Sequence, residues 1–314
     1  MQNKQTKVIT QGAAMLALFL IFFSMAMYVP LIGFFAFLIA PIPIAWYSAN
    51  FNRKEALTLG VLSLLASFIV GGLLGPILGI VFVATGIVMG DAIREKKSKV
   101  YLFLSTGITL LLSFALLFLI LTNLIGINFI DEGLDLFQEA YTESIEYASA
   151  QLGEDVPTEN VKQMFEYMEM SLPSAITLSV FLVSFIIISI TTTVFSRLGL
   201  DIQRFSKFSG LRLPKAILWY YLIVLTINLF VQPEYGSNLA VIILNFSIVL
   251  WVLLTIQGVS FLFYTIEAFK YPNFLKVLIV LISIPMYSFV VLIGIIDLGF
   301  NIRDYIDGKS QGRS

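Results

Sequence analysis

The side chains of this chain that could do chemistry are a few polar groups set in apolar sequence. They are the amides and carboxylates of Asn123, Asn245, Gln257, Glu267 and Asp297. Burying such groups in hydrocarbon is costly, so each marks either a site for a polar ligand or a hydrogen bond between helices. We treat all of them as candidate ligand-binding residues. For the two carboxylates the alternative is simple pairing, of Glu267 with Lys270 and of Asp297 with Arg303 if its helix continues.

Composition excludes several classes of chemistry. The chain has no Cys and no His, which removes disulfides, Cys/His metal sites and His-based acid–base catalysis. The Walker A spacing is absent, and Gly294 to Asp297 departs from the G-x-G-D pattern of aspartyl intramembrane proteases. We therefore expect no enzymatic activity, no cofactor and no metal site. The net charge of -1 gives no reason to expect a nucleic-acid partner.

The elements that must position these polar groups are transmembrane helices. Of the residues, 58% are hydrophobic and 12% charged, whereas a soluble domain is about 25% charged. A helix needs about 20 apolar residues to cross a bilayer. Candidate spans run over 11–29, 31–49, 55–72, 74–90, 100–128, 173–195, 215–232, 239–268 and 275–297. The sequence thus predicts an all-α polytopic transmembrane bundle of eight or nine spans in the plasma (cytoplasmic) membrane.

The second and fourth spans are short or interrupted. Pro41 and Pro43 fall inside the second, and Pro76 opens the fourth after a glycine-rich stretch. Proline lacks an N–H and kinks a helix, so broken or re-entrant backbone is expected here. A plain tight turn between two spans is the alternative.

Basic residues alternate between the connections and predict an orientation. Of the 19 Lys and Arg residues, 15 lie before the first span or on every second connection. By the positive-inside rule these connections and the N-terminus are cytoplasmic. The tail residues Arg303, Lys309 and Arg313 fit this rule only if one broken span does not cross.

Two segments between spans carry charge of opposite sign. Residues 131–172 hold 11 Asp or Glu and one Lys, with apolar residues at helical spacing from Leu134 to Leu152. We predict an acidic extracellular helical hairpin there, which caps a cavity, attracts cations or docks a partner, or simply packs on itself. The basic segment 197–215 is expected on the cytoplasmic leaflet or at a partner surface. The predicted domains are 1–130, 131–172 and 173–314.

Small residues at a spacing of four mark possible helix contacts. Ala13 and Ala17 in the first span, and Gly71, Gly75 and Gly79 around the fourth, follow the small-x-x-x-small pattern. This pattern lets helix backbones approach closely. It is expected to serve either internal packing or docking of a membrane partner.

Several short motifs together indicate a family. They are Thr10-Gln11-Gly12-Ala13-Ala14, Tyr28-Val29-Pro30, Pro41-Ile42-Pro43, Gly86-Ile87-Val88-Met89-Gly90, Gln257-Gly258-Val259-Ser260-Phe261 and Gly294-Ile-Ile-Asp297 with Asn301-Ile-Arg303. In this order they resemble the YybS-like family of uncharacterised Gram-positive polytopic membrane proteins. The N-terminal half is also similar to S components of energy-coupling-factor transporters. That likeness implies a first helix that docks a transmembrane partner, here through Ala13 and Ala17.

Two functions are therefore predicted. The first is small-molecule binding, or service as a transport subunit, in the manner of an S component. The second is a structural or regulatory membrane partner without a ligand. An enclosed polar pocket among the first spans would favour the first function, and a solidly packed bundle would favour the second.

Overall fold

The chain folds into helices. The computed structural model describes residues 2–152, 158–200, 202 and 207–311, which contain no β-strand. The α-helices are α1 (Gln2–Tyr28), α2 (Ile32–Ile39), α3 (Ile42–Asn50), α4 (Arg53–Gly71), α5 (Leu74–Arg94), α6 (Lys99–Ile120), α7 (Phe129–Leu152), α8 (Thr158–Arg197), α9 (Ala216–Phe230), α10 (Asn238–Ala268), α11 (Phe274–Ser283), α12 (Tyr287–Phe300) and α13 (Ile302–Gln311). A π-helical turn, Leu121–Ile125, extends α6, and a 3₁₀ turn, Phe208–Gly210, precedes α9. The all-α prediction is confirmed.

The number of possible spans is smaller than nine. Within the described residues, 7 stretches are long and apolar enough to cross a membrane, or 8 if the bent pair α11–α12 is taken as one span. α9 has only 15 residues, fewer than the roughly 20 that a bilayer requires. The ninth expected crossing at 275–297 is replaced by two helices that meet at an angle of 112°.

The breaks differ from the predicted ones. The second span is interrupted between α2 and α3, as the prolines predict, yet Ile32–Asn50 still counts as one apolar stretch. The fourth span is continuous, because Pro76 lies in the first turn of α5, where its missing N–H costs no helical hydrogen bond. Gly72, at φ 55°, makes the tight turn before it. The sharp bend lies instead between α11 and α12, beside Pro285.

Contacts divide the chain into two units. One unit comprises Met1–Val156 and Thr177–Arg204, and the other comprises Pro157–Ile176 and Phe205–Ser314. α8 contributes its first half to the second unit and its second half to the first. These units are not continuous in sequence, so they do not test the domain boundaries predicted at residues 130 and 172, which stay predictions.

The first unit is held together by close packing of α1, α3, α4 and α5. A Cβ at Gly86 or Gly90 would overlap the backbone of α3, at the carbonyls of Pro41 and Ala45. The two glycines therefore let α5 lie directly on α3. The core that results is aromatic and aliphatic, with the buried residues Phe19, Phe23, Ala40, Ile44, Tyr47, Leu59, Phe82 and Val83.

The described residues of the acidic segment are helical. α7 covers 131–152, and the first turns of α8 cover 158–172. In α7 the apolar positions Leu134, Tyr141 and Ile145 are partly buried, whereas most neighbouring positions are exposed. The connection 153–157 lies outside the described residues. The pairing of the two helices and their extracellular side therefore stay predictions.

Candidate functional site

One face of α10 carries the polar cluster of the second unit. Gln257, Ser260, Tyr264 and Glu267 recur every three or four residues, so they lie along one stripe of the helix. Gln257 and Ser260 are fully buried, whereas the Glu267 side chain is 33% exposed. The stripe therefore runs from the interior of the unit towards its surface.

A buried ion pair lies against this stripe. Arg303 Nη2 donates to Asp297 Oδ2 at 2.8 Å, and Arg303 Nε donates to both carboxylate oxygens at 3.0 and 3.2 Å. The two side chains are only 2% and 3% exposed. Gln257 Nε2 also donates to the Asp297 carboxylate. The aromatic rings of Phe261 and Tyr264 are 5.8 and 5.4 Å from the guanidinium carbon, within cation–π range.

Glycines and a left-handed residue bring the pair together. A Cβ at Gly258 would overlap the carbonyl of Val290, and a Cβ at Gly294 would overlap that of Leu254. α10 and α12 therefore cross backbone against backbone, which puts Asp297 beside Gln257. Asn301 then adopts φ 49°, a conformation that Asn tolerates better than most residues. This turn ends α12 and points Arg303 back at Asp297, so the pair does not need the continuous helix that the sequence suggested.

The same groups tether the segment before α9. Ser260 Oγ lies 2.8 and 2.9 Å from the carbonyl oxygens of Phe208 and Leu211, which share its single proton. Arg303 Nη1 donates to the carbonyl of Ser209 at 2.7 Å. The N–H of Leu213 donates to Gln257 Oε1 at 2.9 Å. The 207–213 segment therefore bonds several of its backbone polar groups to α10 and to Arg303.

Glu267 ends the stripe and has a different partner from the expected one. Its carboxylate accepts from Lys276 Nζ at 2.6 Å and from Ser209 Oγ at 2.7 Å. The pairing with Lys270 was wrong, because Lys270 occupies a left-handed turn at φ 56° that directs the chain into α11. The alternative pairing of Asp297 with Arg303 was correct.

These contacts show that α11 and α12 form a hairpin. Lys276, at the start of α11, contacts Glu267 in the last turn of α10. Arg303, just after α12, contacts Tyr264, whose hydroxyl donates to its carbonyl at 3.2 Å. The bend lies elsewhere, because Tyr287 is 6.4 Å from the ring of Trp251, about 24 Å from Glu267 along α10. Both ends of the hairpin therefore lie at the same end of α10.

Chemically, this cluster is closed. Asp297 accepts from two side chains, both Gln257 groups are bonded, and Arg303 donates through all three of its nitrogens. A buried charge is tolerable only when it is paired and hydrogen-bonded in this way. The arrangement can join α10, α12, the tail and the 207–213 segment, whereas a ligand would first have to displace one of these bonds.

Asn245 serves a separate junction in the same unit. Its Oδ1 accepts from the N–H of Ser174 at 2.7 Å, and its Nδ2 donates to the carbonyl of Met170 at 2.8 Å. In a regular helix these two backbone groups would bond to each other. The amide stands between them next to Pro173, which interrupts the helical ladder. Asn245 therefore stabilises α8 at Pro173 by bonding to both backbone groups.

The remaining candidates lie elsewhere. Asn123 is exposed in the π-helical turn and donates to the carbonyl of Leu119 in its own helix at 2.9 Å. Ala13 and Ala17 are both exposed on α1. The three predicted glycines pack inside the first unit: a Cβ at Gly71 would meet Met27, and one at Gly75 or Gly79 would meet Ser67.

Several residues of the cluster are not among the candidate ligand-binding residues predicted from the sequence. Arg303, Ser209 and Ser260 are central to it, yet the sequence flags none of them as a ligand group. A signal was present in the motifs: Gln257 to Phe261 and Gly294 to Arg303, two of those on which the family resemblance rests, meet in space and form most of the cluster. Among the described residues, no group of three or more Asp or Glu is placed to hold a metal ion.

Two cavities are notable in the described part of the chain. One, of about 240 Å³, opens at the surface of the second unit and is lined in part by Tyr167, Asn228, Ser247 and Trp251. The other, of about 80 Å³, lies at the end of α5 beside Lys96 and Lys99. Neither is an enclosed polar pocket among the first six spans.

Comparison with known proteins agrees with the resemblance. A family model described as "Predicted membrane protein (DUF2232)" matches residues 17–298. The chain is 28% identical over 310 residues to the "Uncharacterized protein YybS" of Bacillus subtilis (strain 168), covering 96% of this chain and 99% of that protein. No solved structure matches the chain.

Proposed function

The chain belongs to the DUF2232 family of predicted membrane proteins, and we propose that it is a non-enzymatic structural or regulatory subunit of a membrane complex. The observation that supports this proposal is that the polar side chains predicted to bind a ligand form hydrogen bonds within the protein instead. Gln257, Asp297, Arg303 and Asn245 all bond within the protein. Neither of the two cavities described above is an enclosed polar pocket among the first spans, so surfaces are better placed than these cavities to act on other molecules.

The docking face would be the exposed side of α1. Ala13 and Ala17 lie there one turn apart, flanked by Ile9 and Ile21, which are 71% and 53% exposed. Small residues on a lipid-facing helix let a second transmembrane helix approach closely. This face also suits the partner contact that the likeness to S components implies.

The test is affinity purification of the tagged full chain from membranes. We expect Ala13→Leu with Ala17→Leu to abolish co-purification of a defined partner at unchanged expression. Ala115→Leu with Ala175→Leu adds the same bulk at exposed positions of α6 and α8 and should leave the partner bound. Equal recovery of every partner with both double variants would refute the proposal.

The hairpin supports a topology in which the N- and C-termini are both cytoplasmic. If α11–α12 enters and leaves on one side and the 15-residue α9 crosses as the eighth span, all Lys and Arg residues except Lys162 lie on that side. The absence of Cys makes single-cysteine labelling clean. Asn273→Cys and Ser310→Cys should resist a membrane-impermeant maleimide in intact cells, and Tyr235→Cys should react. Labelling of Ser310→Cys from outside would contradict this topology.

Small-molecule binding is the second candidate, because the cavity of about 240 Å³ presents Asn228, Ser247 and two aromatic side chains in an otherwise apolar lining. Mass spectrometry of the purified chain tests it. A stoichiometric ligand that Ser247→Trp excludes from the cavity would support binding. Retention of that ligand by the variant would exclude this cavity as its site.

A further inference from the structure

The cavity of about 240 Å³ in the second unit follows one stripe of α10. The α10 residues that line it recur every three or four positions, and they are Ala240, Ile243, Leu244, Ser247 and Trp251. From Ala240 to Trp251 the helix rises about 16 Å. The lining therefore extends along the helix axis, which suits a chain better than a compact ligand.

The part of the lining that α10 supplies is largely apolar. Ala240, Ile243 and Leu244 have hydrocarbon side chains, and the Ser247 hydroxyl already donates to the carbonyl of Ile243 at 2.7 Å. An apolar cavity of about 150 Å³ holds benzene, so this larger cavity has room for a longer stretch of hydrocarbon. α10 thus offers a surface for one hydrocarbon chain.

Two other residues of the lining are polar and are not used inside the protein. Asn228, in the last turn of α9, and Tyr167, in α8, both line the cavity. In the described part of the chain, neither the Asn228 amide nor the Tyr167 hydroxyl makes a hydrogen bond. The amides of Asn245 and Gln257, by contrast, both bond within the unit. The Asn228 amide therefore has two N–H donors and a carbonyl acceptor to offer a ligand.

Asn228 lies at one end of the apolar stripe. It lines the cavity together with Pro233, in the connection between α9 and α10, and with Ala240 in the first turn of α10. Trp251 lines the cavity about 16 Å further along α10. A polar group and an apolar stripe thus follow one another, as the head and the chain do in an amphiphile.

The cavity has no charged group to meet a charged head. Among the described residues that line it there is no Lys, Arg, Asp or Glu. The sequence has no Lys or Arg between Lys215 and Lys270, so neither α9 nor α10 could neutralise an anion. Charges without a partner are costly to place in an apolar site. The lining therefore favours an uncharged head that forms hydrogen bonds.

We propose that this cavity binds an uncharged amphiphile from the bilayer. Its hydrocarbon chain lies along the α10 stripe, and its hydroxyl- or ester-bearing head, like that of an acylglycerol or a long-chain alcohol, bonds to Asn228. This inference rests on the small-molecule binding given above as the second candidate function, and it adds the class of ligand.

The experiment uses the intrinsic fluorescence of Trp251 in the full chain, reconstituted in phosphatidylcholine nanodiscs. Trp46→Phe with Trp219→Phe leaves Trp251 as the one indole, since the chain has three Trp residues. The titrant is a monoacylglycerol with a brominated chain, because bromine quenches indole fluorescence at short range. We expect the quenching of Trp251 to saturate near one equivalent. In the matched variant that keeps only Trp219, which is 65% exposed on α9, quenching should rise in proportion to the probe.

Two variants locate the chain and the head. Ala240→Phe fills the cavity and should abolish the saturable quenching, whereas Ala115→Phe, at an exposed position of α6, should not. Asn228→Leu removes the head contact and should weaken binding on the order of fivefold. Asn123→Leu makes the same replacement at an exposed amide of the first unit and should leave binding unchanged. Equal binding by Asn228→Leu and Asn123→Leu would overturn the head contact.

Ionic probes test the class of ligand. A fatty acid and an alkylamine with the same brominated chain should bind more weakly than the monoacylglycerol, because the lining gives their charge no partner. Saturable quenching by either ionic probe at equal or higher affinity would overturn the uncharged head, while the cavity would remain a small-molecule site. Proportional quenching of Trp251 by all three probes would overturn the cavity site as well. Should Ala240→Phe not fold, displacement by unbrominated monoacylglycerol decides: recovery of Trp251 fluorescence supports the site, and no recovery overturns it.

Discussion

The buried ion pair makes the sharpest prediction, which concerns Arg303→Met. Methionine keeps much of the arginine stem volume but removes the charge and every hydrogen bond of the guanidinium. Asp297, only 3% exposed, would keep Gln257 as its remaining partner. Breaking a buried pair by removing one member costs about 3–5 kcal/mol. We expect this loss in the free energy of unfolding.

The assay is equilibrium unfolding of the purified chain by SDS in mixed micelles. The matched control is Arg212→Met, because Arg212 pairs with Asp304 while the two side chains are 50% and 59% exposed. Exposed pairs contribute about 0–1 kcal/mol, so this variant should unfold close to the wild type. The same side-chain replacement is thus compared in buried and exposed settings within one unit.

The double variant Asp297→Leu with Arg303→Met tests whether the unpaired carboxylate causes the loss of stability in Arg303→Met. It removes both charges together, leaving mainly Gln257 Nε2 and the Ser209 carbonyl without partners, at about 1–3 kcal/mol each. Its destabilisation should be smaller than the sum for the single variants Arg303→Met and Asp297→Leu. Additive losses, or an Arg303→Met variant as stable as the Arg212→Met control, would refute the account of the cluster as an electrostatically coupled unit.

Three further predictions concern helix contacts in the same unfolding assay. Asn245→Leu should lower the free energy of unfolding by about 1–3 kcal/mol, because the N–H of Ser174 and the carbonyl of Met170 lose their partner. Asn123→Leu is the control, since it loses only a bond within its own helix. An equal loss in both variants would contradict the stabilising role of Asn245 at Pro173. Gly294→Val should cost about 3 kcal/mol or more, because its Cβ would overlap the α10 backbone; a stable variant would show that α12 does not cross there. Gly133→Ala, where nothing lies within 4 Å, should stabilise α7 by about 0.5–1 kcal/mol, and a loss would indicate a contact on α7.

Much of this architecture could be predicted because lipid imposes simple rules. Apolar length predicted the helices and short ordered motifs predicted the family, and both are confirmed, whereas the orientation predicted from charge alternation stays a prediction. The second span breaks at its prolines as expected. For the fourth span the alternative, a plain tight turn, is the one that forms, and a proline in a first turn looks like a proline at a kink until the start of the helix is known.

The polar cluster could be predicted only in part. Asp297 with Arg303 was within reach because the two residues are close along the chain. The contact between Ser209 and Arg303 joins residues 94 positions apart, and no local spacing encodes it. The partner of Glu267 depended on a left-handed residue at Lys270, a backbone choice that side-chain patterns do not reveal. Gly258 and Gly294 were visible as motif letters, but their role needs both helices in place.

The position of Arg303 after all of its partners in the sequence has a consequence for biogenesis. α10, the 207–213 segment and Asp297 are all synthesised before the one guanidinium that neutralises the buried carboxylate. Until that residue leaves the ribosome, the nascent protein carries an uncompensated charge at a helix crossing, which favours an open arrangement of α11 and α12. Closure of the cluster therefore follows the synthesis of α10 and α12, because it needs a residue that comes after both in the chain.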